Sequence, residues 1–368
     1  MKESQKKASW LELFYDIAFV ALVAQLTYLA YEYHKTPVDL ITMFLVGYAI
    51  FIAWWAATAN RNLKPTETTK DKLSVQVQMV GAFLMSVTMP QVFEGQYFGF
   101  FATFGLLRFV QAAMVWRIYR THPESRPATY NILQGFLVAA SLWMLSAFVP
   151  PLYHYIFAFS ALAVDILTPL TTGKGNSTRY LNVHHLRERL GLFLILVMGE
   201  SMIVVALTNT AAELNITEPA VVFSGLGMMI ALWWLYFGYS DMHQSVRPRN
   251  LFVFIHSHGL LFGSIILLSA GYKMAIEQVD SVTSGWFVMS GATGVLVALT
   301  LIRLMLNAKT SSTILQTGLF LVVTAAALFF TATYGTVHGL ITLITLLFIA
   351  VAMLDYKIND GGSLERGQ

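Results

Sequence analysis

The chain contains no cysteine, and only 12% of its 368 residues are charged. The first absence excludes disulfides, thiolate metal sites and thiol catalysis. The second, together with 56% hydrophobic residues and a mean hydropathy of +0.62, excludes an ordinary soluble domain of this length. A Gly-rich phosphate loop, a nucleophile elbow and a His-Glu-x-x-His motif are also missing. What remains is the composition of a membrane protein.

Long apolar runs are what the chain has instead, and each can cross the hydrocarbon, which takes about 20 residues of helix. Alternation of apolar and polar residues with a period of two does not occur, so a barrel is excluded. The sequence therefore predicts an all-α, polytopic membrane protein. Its predicted transmembrane helices number about twelve, near residues 11–32, 38–60, 73–90, 96–119, 128–149, 152–171, 189–209, 219–240, 251–272, 283–307, 312–334 and 336–355.

Basic residues are distributed unevenly among the predicted loops. With the N-terminus inside, every Lys and Arg except Lys35, Lys273 and Arg108 falls in a cytoplasmic segment. Because cytoplasmic loops retain the positive charge, both termini are predicted to be cytoplasmic. The net charge of +3 follows from these loops and predicts contact with anionic lipids at the cytoplasmic face, not with nucleic acid.

A repeated pattern of aromatic residues indicates two related halves. Trp54 follows Phe14 by 40 residues, and Trp233 follows Phe193 by the same 40. An even number of helices per half makes such repeats parallel. The prediction is a first six-helix repeat at 1–172, a cytoplasmic linker at 173–187, and a second six-helix repeat with a short tail at 188–368. Two separate aromatic belts would also give paired tryptophans.

Two opposite charges lie near the middle of predicted helices. Glu200 is about twelve residues into the seventh helix, and Arg108 is about as far into the fourth, so both lie near the midplane at 1.5 Å per residue. Pairing would offset the cost of burying each charge. The prediction is therefore a midplane ion pair of Arg108 and Glu200, which is either a static connection between the halves or a switch.

The other intramembrane polar residues are concentrated in the cytoplasmic leaflet. This one-sided distribution predicts a water-filled vestibule open to the cytoplasm, although residues near helix ends also cap and snorkel. Glu12 and Asp16 are four residues apart and share a helix face, where like charges repel unless a cation or proton lies between them. The predicted vestibule and entrance residues are Glu12, Asp16, Asp165, His185, Glu188, Arg189, Asp241, His256 and His258.

Two stretches carry a family resemblance: "WLELFYDIAFVALVAQL" at 10–26 and "HLRERLGLFLILVMGES" at 185–201. Together they resemble the signature pair of the bacterial low temperature requirement protein A family, which implies a multi-pass protein of the bacterial cytoplasmic membrane. The resemblance covers essentially the whole chain and adds Phe14, Gly199 and Ser201 to the motif positions. Phe14-Tyr15-Asp16 is also similar to the Phe-Ser-Asp opening of two-repeat lysosomal-type potassium channels, although Phe193-Leu194-Ile195 lacks the matching acid.

Three functions are compatible with these features. The predicted one is a transporter or channel for a cation, proton or small solute, because intramembrane ionisable residues mark ion and substrate paths. One alternative is an intramembrane enzyme that uses His184, His185 and Glu188, or His256 and His258 with Asp165. The other is a sensor or assembly factor without flux. The sequence predicts no cofactor and no metal, and it leaves an oligomer possible.

Overall fold

The computed structural model of the chain describes residues 9–62, 68–172, 181–208, 217–240, 246–247, 250–306, 318, 322 and 336–364. Every regular element within these residues is a helix. Eleven helices in the described part are long and apolar enough to cross a membrane. The prediction of an all-helical polytopic protein is confirmed at this level. The predicted segment 312–334 lies outside the described residues apart from positions 318 and 322.

The helices follow the predicted segments closely. They are α1 (Trp10–Glu32), α2 (Pro37–Asn62), α3 (Thr69–Phe93), α4 (Phe98–Thr121), α5 (Arg126–Phe148), α6 (Pro151–Leu167), α7 (Val183–Thr208), α8 (Thr217–Ser240), α9 (Leu251–Ile276), α10 (Ser281–Met305) and α11 (Val337–Leu364). Short 3-10 helices follow α4 and α6, at Pro123–Ser125 and Thr168–Thr172. The start of α7 at Val183 lies within the predicted linker 173–187, of which 173–180 are outside the described residues.

Polar caps fix the first turns of α1 and α7. In α1, the Ser9 N–H donates to Glu12 Oε2 at 2.7 Å, and the Glu12 N–H donates to Ser9 Oγ at 3.3 Å, which is a capping box. In α7, Asn182 Oδ1 accepts the His185 N–H at 3.0 Å. Both caps therefore hold an ionisable side chain, Glu12 or His185, in the first turn of its helix.

The chain divides into two compact units, Met1–Leu196 and Val197–Gln368, here called the first and second units. Close helix packing occurs in each. In the first unit, a Cβ on Gly105 of α4 would lie 3.1 Å from the backbone nitrogen of Met144 on α5. In the second, a Cβ on Gly291 of α10 would lie 2.6 Å from the backbone nitrogen of Leu268 on α9. Small residues at such crossings are typical of membrane helices, whose backbones approach closely.

Large apolar side chains cover much of the outer surface. Phe83, Ile156 and Phe223 are 60%, 59% and 72% exposed, respectively. In water, extensive exposure of this kind marks an interaction surface or an aggregation hazard. Around helices of membrane-spanning length it is the surface that lipid covers.

Candidate functional site

Ionisable side chains are buried inside the membrane-spanning helices of the first unit. A charge at the centre of a membrane helix costs about 2.5 to 3.5 kcal/mol on insertion scales, so such residues need partners. Three acids, three arginines and one histidine form this set, here called the polar cluster: Glu12, Asp16, Asp165, Arg61, Arg108, Arg189 and His185, none more than 6% exposed. With a neutral imidazole, the formal charges of the polar cluster cancel.

Glu12 connects the first turn of α1 with the end of α2. Its Oε1 accepts from Arg61 Nε at 3.0 Å, while its Oε2 serves the capping box. Arg61 Nη2 also donates to Ser9 Oγ at 3.0 Å. Glu12 Oε1 lies 3.5 Å from His185 Nε2, which is close enough for an ion pair when the imidazole is protonated. One carboxylate thus caps a helix and contacts Arg61 and His185 from two other helices.

His185 is positioned by a pair of asparagines. The Asn182 N–H donates to Asn62 Oδ1 at 2.7 Å, and Asn62 Nδ2 donates to the Asn182 carbonyl at 2.9 Å. Asn62 Nδ2 also lies 3.4 Å from His185 Nδ1. This arrangement joins the end of α2 to the start of α7. These hydrogen bonds explain why α7 begins before the apolar run, because protein groups replace water around the polar residues Asn182 and His185.

Asp16, one turn after Glu12, has an indole and a guanidinium as partners. Its Oδ1 accepts from Trp54 Nε1 at 2.7 Å and from Arg189 Nη2 at 2.6 Å. The Trp54 ring stacks on Phe193, with centroids 4.4 Å apart and planes at 23°. The like charges of Glu12 and Asp16 are therefore each met by a separate arginine, so no cation is needed between them.

Arg108 forms an ion pair with Asp165 inside the first unit. Its Nη2 donates to Asp165 Oδ1, and its Nη1 donates to Gln111 Oε1 at 2.6 Å. Trp143 Nε1 donates to the other oxygen of Asp165 at 3.0 Å. Asp165, predicted for the vestibule, thus forms an ion pair with Arg108 within the first unit. The predicted pairing of Arg108 with Glu200, which lies in the second unit, stays a prediction.

Gln111 joins this ion pair to α2 and α3. Its Nε2 donates to the Ala53 carbonyl at 2.9 Å and to Gln78 Oε1 at 3.1 Å. Ala53 directly precedes Trp54, whose indole reaches Asp16. Backbone and side-chain contacts thus connect the Arg108–Asp165 pair with the Asp16–Arg189 pair through one turn of α2. The first unit holds one connected polar layer.

The second unit contains a more complete ion pair. Arg303 of α10 donates from Nη1 and Nη2 to the two oxygens of Asp355 on α11, both at 2.8 Å. Arg303 Nη2 also donates to the Leu235 carbonyl of α8 at 2.7 Å. Such a two-point contact uses both carboxylate oxygens and fixes the orientation of the guanidinium.

The two predicted histidines of α9 differ in environment. His258 is fully buried, with Nε2 2.9 Å from Tyr236 Oη and Nδ1 2.7 Å from the Phe254 carbonyl. His256 is half-buried, with its ring 4.2 Å from that of Phe252. Because both of its ring nitrogens are hydrogen-bonded, His258 is a packing residue of the helix bundle. Among the described residues, no three His, Asp or Glu side chains approach closely enough to hold a metal ion.

The remaining predicted residues are spread between buried and exposed positions. Glu200 and Ser201 are buried on α7, and Ser201 Oγ donates to the Val197 carbonyl at 2.9 Å. Glu188 is half-buried, and Phe14 is 57% exposed. A Cβ on Gly199 would meet no heavy atom within 4 Å. Asp241 lies outside the described residues.

Sequence reasoning missed several members of the site. Arg61 counted as a loop charge, although it is buried against Glu12. Trp54 served as a repeat marker, although its indole N–H binds Asp16. The distribution of basic residues predicts a cytoplasmic location for Arg303, whereas α10 continues to Met305 and buries it. Arg61 and Arg303 lie at the ends of apolar runs, where hydropathy alone does not separate a loop charge from a buried one.

Comparison with known proteins gives two matches. A family model described as "Bacterial low temperature requirement A protein (LtrA)" matches residues 7–354. An uncharacterized protein of Rhizobium meliloti (strain 1021), RA0937, is 23% identical over 297 residues, which cover 74% of this chain and 71% of the relative. The family match includes every residue of the polar cluster and also Arg303. Asp355, the partner of Arg303, directly follows the last matched residue.

Proposed function

The chain belongs to the bacterial low temperature requirement A family, a family of membrane proteins with multiple transmembrane helices, and from this premise we propose that it is a transporter or channel for a small ion or solute. The working site is the part of the polar cluster around Asp16 and Arg189. Glu12, His185 and Arg61 form the route to it from the first turns of α1 and α7. Glu188 and Asp241 are proposed as entrance residues, and Glu200 as a further acid along α7.

Unused hydrogen-bonding capacity at Asp16 and Arg189 carries this proposal. Asp16 Oδ2, Arg189 Nε and Nη1, and Tyr15 Oη are buried without a hydrogen-bond partner among the described residues. Leaving a buried polar group unsatisfied costs about 1–3 kcal/mol. A merely structural ion pair has no reason to bear several such costs, whereas a site that receives a water molecule, an ion or a small polar solute needs those atoms available.

The Arg303–Asp355 pair shows what an ion pair with a structural role looks like in this chain. Both of its oxygens and both terminal nitrogens are hydrogen-bonded. In the Asp16–Arg189 pair, Trp54 Nε1 and Arg189 Nη2 both donate to Asp16 Oδ1. The other two guanidinium nitrogens of Arg189 have no hydrogen-bond partner among the described residues. We therefore assign the first pair to structure and the second to transport.

Proton coupling follows from how the acids are held. A proton on Asp16 removes the charge that binds Arg189, so the arginine can exchange its partner. Because the polar cluster is charge-balanced with neutral His185, a proton on this imidazole is balanced when one negative charge enters, so no net charge builds up in the membrane. The coupled movement of a proton is thus the simplest cycle for these residues.

The two-repeat organisation and the location are part of the same proposal. An arginine on the fourth helix binds an aspartate on the sixth helix of the first predicted repeat, in the Arg108–Asp165 pair. Arg303 and Asp355 lie on the fourth and last helices of the second predicted repeat. Matching pairs support parallel repeats. The distribution of basic residues supports cytoplasmic termini, in a cytoplasmic membrane with anionic lipids.

Flux through reconstituted vesicles tests the proposal. Liposomes containing the native protein and a pH-sensitive dye are given a proton gradient in the presence of Na+, K+ or a panel of small organic solutes. We expect native flux above that of protein-free vesicles and a fall to the protein-free level in Asp16→Asn. Glu94→Gln, which neutralises an exposed acid at the end of α3, is the matched control and keeps native flux.

Two results would contradict the transport proposal. One is native flux equal to that of empty vesicles under all gradients, which favours the sensor or assembly factor. The other is unchanged flux in Asp16→Asn with a native unfolding transition, which removes Asp16 from the path. A melting measurement on every variant separates loss of transport from loss of fold.

A further inference from the structure

An apolar groove lies between α8 and α11 on the second unit, here called the α8–α11 groove. Its volume is about 550 Å³. Ile230, Ala231 and Trp234 line it on the α8 side, and Ala352 and Lys357 are among the residues that line it on the α11 side. All of the lining side chains are apolar or aromatic apart from Lys357. The groove therefore has a long apolar floor and a single cationic group.

Lys357 is a cation without a protein counter-charge in the described part of the chain. It is exposed, and no ion pair joins it to a described acid. The acid nearest to it in the sequence, Asp355, is already bound at both oxygens by Arg303. Among the described side chains, the groove thus ends in one positive charge without an acidic partner, which favours an anionic group there.

The level of the groove in the membrane is given by α11. The apolar segment predicted at 336–355 in this helix is followed in the sequence by Lys357, so this residue lies where the hydrocarbon gives way to headgroups. Trp234 and Tyr356 stand beside it, with rings 5.8 Å apart in an edge-to-face arrangement, and they are 45% and 54% exposed. Aromatic residues of this kind anchor helices at the interface. The apolar part of the groove therefore faces acyl chains and its charged end faces phosphates.

We propose that the α8–α11 groove binds an anionic phospholipid, with one acyl chain along Ile230 and Ala352 and the phosphate on Lys357. The apolar floor alone would accept the acyl chain of any lipid. A basic residue near the membrane surface adds about 1 kcal/mol for an anionic lipid, which corresponds to about fivefold tighter binding than that of a zwitterionic lipid. This inference does not depend on the transport proposal, because it concerns other residues and another unit.

Lipid retention on the purified full chain tests the groove. Native mass spectrometry from a neutral detergent counts bound phosphatidylglycerol and phosphatidylcholine of identical acyl chains. We expect about a fivefold preference for phosphatidylglycerol in the native protein. Lys357→Gln should remove this preference, and Lys357→Arg should keep it. Lys273→Gln is the control, because Lys273 is paired with Glu277 and lies outside the groove.

A second variant separates the groove from general surface charge. Ala352→Trp fills the apolar floor and leaves Lys357 in place, so it should reduce retention of both lipids. The proposal is overturned if the native protein retains both lipids equally, if Lys357→Gln keeps the preference, or if a folded Ala352→Trp variant binds like the native protein. Lys357 is exposed, so its replacement leaves the fold intact and the test decisive.

Discussion

Neutralising one member of the Arg303–Asp355 pair should destabilise the protein far more than removing both members. Either side chain is almost fully buried, and the pair holds α10 against α11 while Arg303 also binds the Leu235 carbonyl. Asp355→Leu or Arg303→Met leaves a buried charge without a partner, which costs about 3–5 kcal/mol. Replacing both by apolar residues removes both charges, and such exchanges are often neutral. We therefore expect a non-additivity of about 3 kcal/mol or more.

The assay is equilibrium unfolding in mixed micelles, followed by tryptophan fluorescence, for the native protein, both single variants and the double variant. The chain supplies a weak pair for comparison, Lys273 and Glu277, which lie four residues apart at the surface end of α9. A cycle on this pair should give about 0.3–0.5 kcal/mol. Additive losses at Arg303 and Asp355 would refute the reasoning, as would loss of vesicle flux in a double variant that folds normally.

Further predictions concern the site and the helix crossings. Trp54→Phe keeps an aromatic ring but removes the indole donor to Asp16, so it should cost about 1–3 kcal/mol and lower vesicle flux; native flux and native stability together would exclude a role for the indole. Gly291→Ala should destabilise by about 1–3 kcal/mol, because its Cβ would lie 2.6 Å from backbone. Gly263→Ala, on a neighbouring helix with open space around the new Cβ, should be neutral or stabilising by up to about 1 kcal/mol, and equal losses in both thermal melts would contradict the packing argument.

Helix positions could be predicted from the sequence because bilayer thickness requires long apolar runs. The predicted segment 11–32 corresponds to α1 at Trp10–Glu32, and 251–272 corresponds to α9 at Leu251–Ile276. The start of α7 could not be predicted, because a hydropathy profile treats His185 and Arg189 as residues that need water. In the folded chain Glu12 and Asp16 take the place of water.

The partners within the site were the least predictable part. Depth along a helix follows from counting residues, so the presence of buried acids and arginines could be predicted. Which acid meets which arginine depends on helix neighbours and on rotation about each helix axis. Depth alone did not indicate that Arg108 binds Asp165 within the first unit. The roles of Trp54 and Trp143 were equally hard to predict. Both count as apolar residues in a hydropathy profile, although each indole N–H donates a hydrogen bond to a buried aspartate.

The capping box at Ser9 and Glu12 makes the end of a helix sensitive to charge. Glu12 holds the Ser9 amide with one oxygen and Arg61 with the other. Breaking the contact between Glu12 and Arg61 therefore also disturbs the first turn of α1. Local fraying and ion-pair exchange become a single event, and hydrogen exchange at the Ser9 amide would record that event as a change in backbone protection.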